Sequence, residues 1–350
     1  MLNVKFENSK DLLKVLSSID NIIKKNKAEN CLKYILFEKV KDKLCISARN
    51  PYMRIGYFVN DTIKIDGDST LFDCKTIISM FNVLDGVIEI NDNVIQNNKC
   101  KYKVNSLSVE EYPDDVFPDI ENKNEINTED FKKAIDSVLC ATQKSEYENA
   151  LNGVYLNTNK LVGCDGNRIF IKEINNELEN IIIPKDLVNE ISRLPFQEKI
   201  FMMVFGQNII FEDENLYISC NYINKDYPKY EQLLPRDTEN EFYFSKQDFN
   251  NALNLIKPIV NQATNKCNLK ISNNEMTIST NNNTQSAETK IKIEQKNELN
   301  ETLEIAFNIN FLVDMVNVND EKITLIKHNS GDGYTFKSGN AIQYIMPILH

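Results

Sequence analysis

A chain of 350 residues is longer than one ordinary core supports, so two or three domains are expected. With 40 Lys and Arg against 51 Asp and Glu, the net charge of −11 excludes a surface that is basic all over, although a single face can still carry the field that nucleic acid needs. No run approaches the roughly 18 apolar residues of a membrane span, and the N-terminus lacks a signal-peptide layout, so a cytoplasmic protein is expected. The 8 cysteines are scattered, and His328 and His350 are the only histidines. That spacing gives no structural zinc site. Reduced, mostly buried thiols and no cofactor are expected.

Taken in chain order, three segments repeat one plan: a short extended piece, a hydroxyl residue, an Asp and an amphipathic run. They are VKFENSKDLLKVLSSI, EINTEDFKKAIDSVL and FYFSKQDFNNALNLI. Ser9, Thr128 and Ser245 read as N-caps, and Asp11, Asp130 and Asp248 suit the positive end of a first helical turn. Leu12, Val15 and Leu16, then Phe131, Ala134 and Ile135, then Phe249, Ala252 and Leu253 give the i, i+3, i+4 stripe of a helix packed on one side. Asp11 and Asp130 lie 119 positions apart, and Asp130 and Asp248 lie 118 apart.

A second helix recurs later in each unit, in LFDCKTIISMF, IIIPKDLVNEISRL and IAFNINFLVDMVNV. The six helices are predicted over 9–25, 72–84, 128–144, 184–194, 245–258 and 309–317. Short β-prone runs broken by Asn, Asp and Gly fill the rest. Proline-bearing links at 110–120 and 225–237 place domain boundaries that give 1–121, 122–237 and 238–350. The fold class is α+β, with three tandem repeats of a two-helix, antiparallel-sheet domain. A whole domain repeated in tandem points to a curved or closed assembly rather than a single catalytic pocket.

The stretch LNGVYLNTNKLVGCDGNRIFI (151–171) reads as a strand, an Asp165-Gly166 hairpin and a returning strand. Its Leu151-Asn152-Gly153-Val154 and its Asp165-Gly166-x-Arg168 resemble the central domain of the bacterial DNA polymerase III beta subunit, the replicative sliding clamp. DYPKYEQLLP (226–235) is similar to that family's link into its third domain, and YIMPILH (344–350) to its Met-Pro tail. The three-repeat plan extends the resemblance over the whole chain.

The resemblance implies a head-to-tail homodimer, six domains in a ring with sheets outside and helices lining a hole. Such a ring encircles double-stranded DNA without reading its sequence and tethers the replicative polymerase. Diffuse positive charge toward the phosphates suffices for that. On the six predicted helices bases slightly outnumber acids, against the trend of the whole chain. The candidates for phosphate contact are Lys24, Lys25 and Lys27 at a helix end, with Lys132, Lys133 and Arg193.

The resemblance also implies a groove in which the polymerase, the clamp loader and repair proteins dock short hydrophobic peptides. Carried over by motif, Leu151 lies at its edge, and Cys164, Gly166, Asn167, Arg168 and Ile169 form one wall. Pro228, Gln232 and Leu233 come from the link, Asn308 and Phe311 from the last helix, and Tyr344, Met346, Pro347 and Ile348 from the tail. Met, Ile, Leu and Pro make an adaptable apolar slot, and Arg168 is expected to hold an acceptor or to lie flat over the peptide. The sequence departs from the family in having Asn167 where His is common and Gln232 where a basic residue is usual. It ends in Ile348-Leu349-His350 rather than in a basic residue and Leu.

Two other readings compete with this one. An enzyme finds no P-loop, HExxH, GxSxG or DxD motif in this sequence. A monomeric DNA-binding or scaffold protein that kept the fold needs only an altered subunit edge.

Overall fold

The computed structural model of the chain describes residues 2–349 apart from 7–12, 14, 15, 17, 18, 21, 22, 24–32, 41, 60, 61, 68, 108, 111, 114–122, 144–148, 283, 300 and 319. It divides into two compact units, Met1–Lys132 with Asp186–Tyr222, and Lys133–Lys185 with Ile223–His350. The middle repeat contributes strands to the sheets of both units. The described residues contain no helix long and apolar enough to cross a membrane.

The first unit carries two antiparallel sheets. The larger has nine strands, running from Ser106–Leu107 through Ser69–Asp73, Tyr34–Val40, Lys43–Arg49 and Met53–Val59 to Leu216–Asn221, Asn208–Glu212, Lys199–Phe205 and Asn124–Asn127. Its seam is the pairing of Met53–Val59 with Leu216–Asn221, where Ile55 faces Ile218 and both are buried. A five-stranded sheet is built on Asn3–Phe6. Helix α1, Cys74–Phe81, starts where the Asp73 carboxylate accepts the Thr76 backbone N–H at 2.9 Å. Of the predicted helix 9–25, residues 13, 16, 19, 20 and 23 are helical, with Leu16, Ile19 and Ile23 buried. Ser9, Asp11, Leu12 and Val15, like Lys24, Lys25 and Lys27, lie outside the described residues.

Two helices follow in chain order, α2 at Thr128–Leu139 and α3 at Lys185–Arg193. The α2 stripe is as expected, with Phe131, Ala134, Ile135 and Val138 buried, but two details differ. The cap is Asn127, whose side-chain oxygen accepts the Asp130 N–H at 3.0 Å, so Thr128 stands inside the first turn. Asn is as good a cap as Thr, and here it sits one position earlier. The helix also stops at Leu139 rather than 144, where the N–H groups of Ala141 and Thr142 turn back to the carbonyls of Val138 and Leu139.

The second unit holds a seven-stranded antiparallel sheet. Its order is Gly153–Cys164, Arg168–Pro184, Ala341–Ile345, Tyr334–Ser338, Lys322–Lys327, Asn240–Ser245 and Glu294–Gln295. A four-stranded sheet contains Lys266–Ser272 and Leu303–Asn308. Helix α4, Lys246–Ile256, is capped as expected by Ser245, which accepts the Asp248 N–H at 3.3 Å, and it buries Phe249, Ala252, Leu253 and Ile256. It passes into a 3-10 turn at Lys257–Ile259, because Pro258 has no N–H with which to continue the helix. Helix α5 is Ile309–Val318.

Candidate functional site

The hairpin at residues 161–171 forms as its sequence demands. Cys164 ends one strand, Arg168 begins the next, and Gly166 takes φ +92, a conformation that only glycine adopts freely. The Asp165 carboxylate closes the loop. Its Oδ1 accepts the N–H groups of Asn167 at 3.0 Å and Arg168 at 3.1 Å, and Oδ2 accepts Arg168 Nε at 2.9 Å. The returning strand continues the sheet against the C-terminal strand, with Arg168 opposite Ile345, Ile169 opposite Tyr344 and Ile171 opposite Ile342. Beyond the ladder, the Met346 N–H donates to the Asn167 carbonyl at 2.9 Å and the Ile348 N–H to the Ala306 carbonyl at 2.7 Å. The tail predicted to meet this hairpin is therefore stitched to it.

Side-chain alternation divides the predicted wall between two faces. Cys164 and Ile169 share one face with Val162, Ile171 and Tyr344, and with Tyr230 from the link they form one buried apolar cluster. Leu151, Tyr155, Tyr227, Leu234, Ile342 and Met346 pack against it while half-buried, so the cluster keeps an apolar rim. Leu151, Cys164, Ile169, Tyr344 and Met346 are thus brought together as expected. Pro347 and Ile348 continue the tail half-buried, while Pro228, Gln232 and Leu233 are exposed on the link beside Tyr230. Gly166 and Asn167 are exposed at the hairpin tip.

Arg168 points the other way. It is only 6% exposed, and its guanidinium donates to Asp165, to Asp314 Oδ2 at 2.7 Å and to the Cys140 carbonyl at 2.5 Å. It lies 4.2 Å from the centroid of the Phe311 ring. An arginine free to hold a ligand's acceptor is replaced by one that ties the hairpin to α5 and to the end of α2. Phe311 serves as its stacking partner. Asn308 caps α5, its Oδ1 accepting the Asn310 N–H at 3.0 Å.

Sequence reasoning missed the tyrosines. Tyr155 stacks on Tyr227 with centroids 4.5 Å apart, and Tyr227 meets Tyr230 edge-on at 6.3 Å. Strand alternation would have set Tyr155 on the face opposite Cys164 and Val162; the irregular register between Leu156 and Lys160 brings it to theirs, so only the two tyrosines of the link left a signal. Burial pushes the phenol of Tyr230 up to about 12 and raises those of Tyr227 and Tyr344 and the thiol of Cys164. These groups stay neutral, so the arrangement offers apolar surface and neutral donors rather than a nucleophile.

Among the residues predicted for phosphate contact, Lys132 turns its ammonium onto the Leu194 carbonyl and lies 5.9 Å from the Phe196 ring. Arg193 is exposed, with Glu190 3.8 Å away, and Lys133 is exposed on α2.

A family model described as the DNA polymerase III beta subunit, central domain, matches residues 125–229, and one described as its C-terminal domain matches 231–332. Together they cover more than half of the chain. The chain belongs to the DNA polymerase III beta subunit family. A relative named beta sliding clamp from Helicobacter pylori strain J99 is 24% identical over 327 residues, covering 88% of this chain and 86% of that protein. Structures of the DNA polymerase III beta subunit from Thermotoga maritima (TM-score 0.86, 18% identity) and of a Pseudomonas aeruginosa sliding clamp bound to griselimycin (TM-score 0.89, 17% identity) share the fold. Each of the two covers 99% or more of this chain and 100% of its own. The resemblance stated from three short motifs thus holds over the full length, and the beta-subunit fold is that of the sliding clamps.

Proposed function

We propose that this chain works as a DNA sliding clamp, a processivity factor without catalysis of its own, in the cytoplasm at the replisome. Two copies join head to tail, each with domains at 1–121, 122–237 and 238–350, and the ring holds double-stranded DNA without regard to sequence. The matches of the two family models, which begin at 125 and 231, support these divisions. Lys133 and Arg193, with Lys24, Lys25 and Lys27, supply the diffuse positive charge; Lys132, held by the Leu194 carbonyl, contributes less.

One observation carries the docking reading: the C-terminal strand pairs with the Asp-Gly hairpin and sets Tyr344 and Met346 beside Cys164 and Ile169 in an apolar cluster with a half-buried rim. The polymerase, the loader and repair proteins dock there through short hydrophobic peptides. Each fully buried apolar side chain contributes about 1.5–3 kcal/mol, so two anchors plus backbone contacts suit an exchangeable, micromolar partner.

Light scattering and topology test the assignment together. The expected result is a mass near twice 40.4 kDa, with retention on nicked circular DNA and loss from linear DNA. A dimer that leaves both substrates equally fast would overturn the clamp reading, and a monomer at micromolar concentration would favour the scaffold alternative.

A further inference from the structure

We propose that the hydroxyl of Tyr227 is a specificity-determining donor, which takes a carbonyl oxygen of the docked peptide. The inference rests on the peptide-docking reading above and says what that site recognises besides apolar surface.

The ring of Tyr227 already has work within the protein, stacked on Tyr155 at 4.5 Å and edge-on to Tyr230. Phenylalanine would fill the same space. The hydroxyl is different: it is buried and has no hydrogen-bond partner among the described residues. Its neighbours in the cluster are satisfied, because Tyr230 Oη accepts from the Asn157 amide at 2.9 Å and Tyr344 Oη from the Gly333 N–H at 3.0 Å. A buried donor left unmet lowers stability, and a partner that arrives only on binding is one way such a group is completed. Tyr227 as a residue stands half-buried at the rim of the cluster, and its hydroxyl, closed off from solvent in the free chain, has nearby Cys164, whose thiol stays protonated and is a poor acceptor.

The surroundings also choose the acceptor. Glu231 accepts from the Asn157 amide at 3.0 Å, beside the Tyr230 hydroxyl, whereas the Asp165 carboxylate is already paired with Arg168. A carboxylate on the ligand would be desolvated against Glu231, whereas a neutral amide carbonyl would not. That carbonyl belongs either to the peptide backbone or to a Gln or Asn side chain.

The test uses the full chain, titrated by fluorescence anisotropy with overlapping synthetic peptides that cover the replicative polymerase of the same organism. For the tightest binder, Tyr227→Phe is expected to weaken affinity roughly 5- to 30-fold, the worth of one buried hydrogen bond. The melting temperature of the free protein should hold or rise by about 1–3 °C, since an unmet group has been removed. Replacing each Gln or Asn of the peptide by Leu, and separately each backbone carbonyl by a thioamide, identifies the acceptor. The correct change weakens binding to the native chain and leaves binding to Tyr227→Phe unaltered. Equal affinity of the two proteins would overturn the proposal, as would a lower melting temperature in Tyr227→Phe, which would mean that the hydroxyl has a partner in the free chain. If the native chain binds none of the peptides, the docking reading itself fails.

Discussion

Arg168 and Asp314 meet at 2.7 Å although 146 positions separate them. The pair fastens the returning strand of the hairpin to helix α5, while Asp165 holds the same guanidinium from within the turn. The hairpin tip, the end of α2 and the last helix are therefore positioned by one side chain, and its planar fork and its stack on Phe311 are features that lysine lacks.

Arg168→Ala should be among the most damaging single changes in this region. It leaves two carboxylates facing each other and an unmet Cys140 carbonyl. Breaking a buried pair from one side costs about 3–5 kcal/mol. The lower end is expected, because the Asp314 side chain is 34% exposed. Arg168→Lys should recover only part of the loss. Urea unfolding followed by circular dichroism checks both, and a midpoint unchanged within error for the alanine variant would show that the pair contributes nothing.

Two glycines of the same hairpin should respond in opposite order to their visibility. A Cβ on Gly166 meets nothing within 4 Å, so Gly166→Ala bears only the strain of φ +92, about 1–2 kcal/mol. A Cβ on Gly163 would come 2.1 Å from the Val138 carbonyl oxygen, a backbone atom of α2 that cannot step aside alone. Gly163→Ala should therefore cost more than Gly166→Ala, with α2 displaced from the sheet. Comparison of their thermal midpoints decides the matter, and equal midpoints would mean that the helix yields freely.

These cases show what the sequence makes legible. Local chemistry reads well: the Asp165-Gly166 turn, the Ser245 cap and the apolar stripes of α2 and α4 each depend on neighbours within a few positions. The Thr128 assignment failed by one residue because Asn127 competes for the same cap. Arg168 and Ile169 are expected on one wall, whereas strand alternation carried through the turn puts them on opposite faces. Its partner Asp314 lies too far along the chain for any spacing to reveal. The tyrosine cluster depends on the link folding back over the sheet, which no short-range pattern encodes.

Asp237 should make the link sensitive to acid. The Ser330 hydroxyl, helped by the N–H groups of Asn329 and Ser330, holds its carboxyl down to about 2 from an ordinary 3.8. A depressed folded value means that the contribution is whole above about 3.8 and is lost as pH falls toward 2. In Asp237→Asn the urea midpoint should start lower at pH 5 and fall less steeply between pH 4 and 2 than in the native chain. Parallel acid limbs for the two proteins would show that this carboxyl does not contribute.

The tail allows the docking surface to be removed without harming the fold, provided the cut is placed correctly. Ile345 is fully buried and pairs with Arg168, so a chain ending before it loses core as well as surface. Ending the chain at Ile345 removes half-buried Met346, Pro347 and Ile348 with the hydrogen bonds to Asn167 and Ala306, yet keeps the ladder up to Ile345. That truncation, and more mildly Met346→Ala, should abolish or weaken binding of a polymerase-derived peptide at least tenfold while the dimer mass stays unchanged. Met346 is the clearer probe, because its side chain packs on the cluster whereas its backbone N–H, the part bound to Asn167, survives the substitution. Peptide affinity unaffected by both changes would place docking elsewhere on the chain, and loss of the dimer along with the peptide would mean that the tail supports more than the surface it borders.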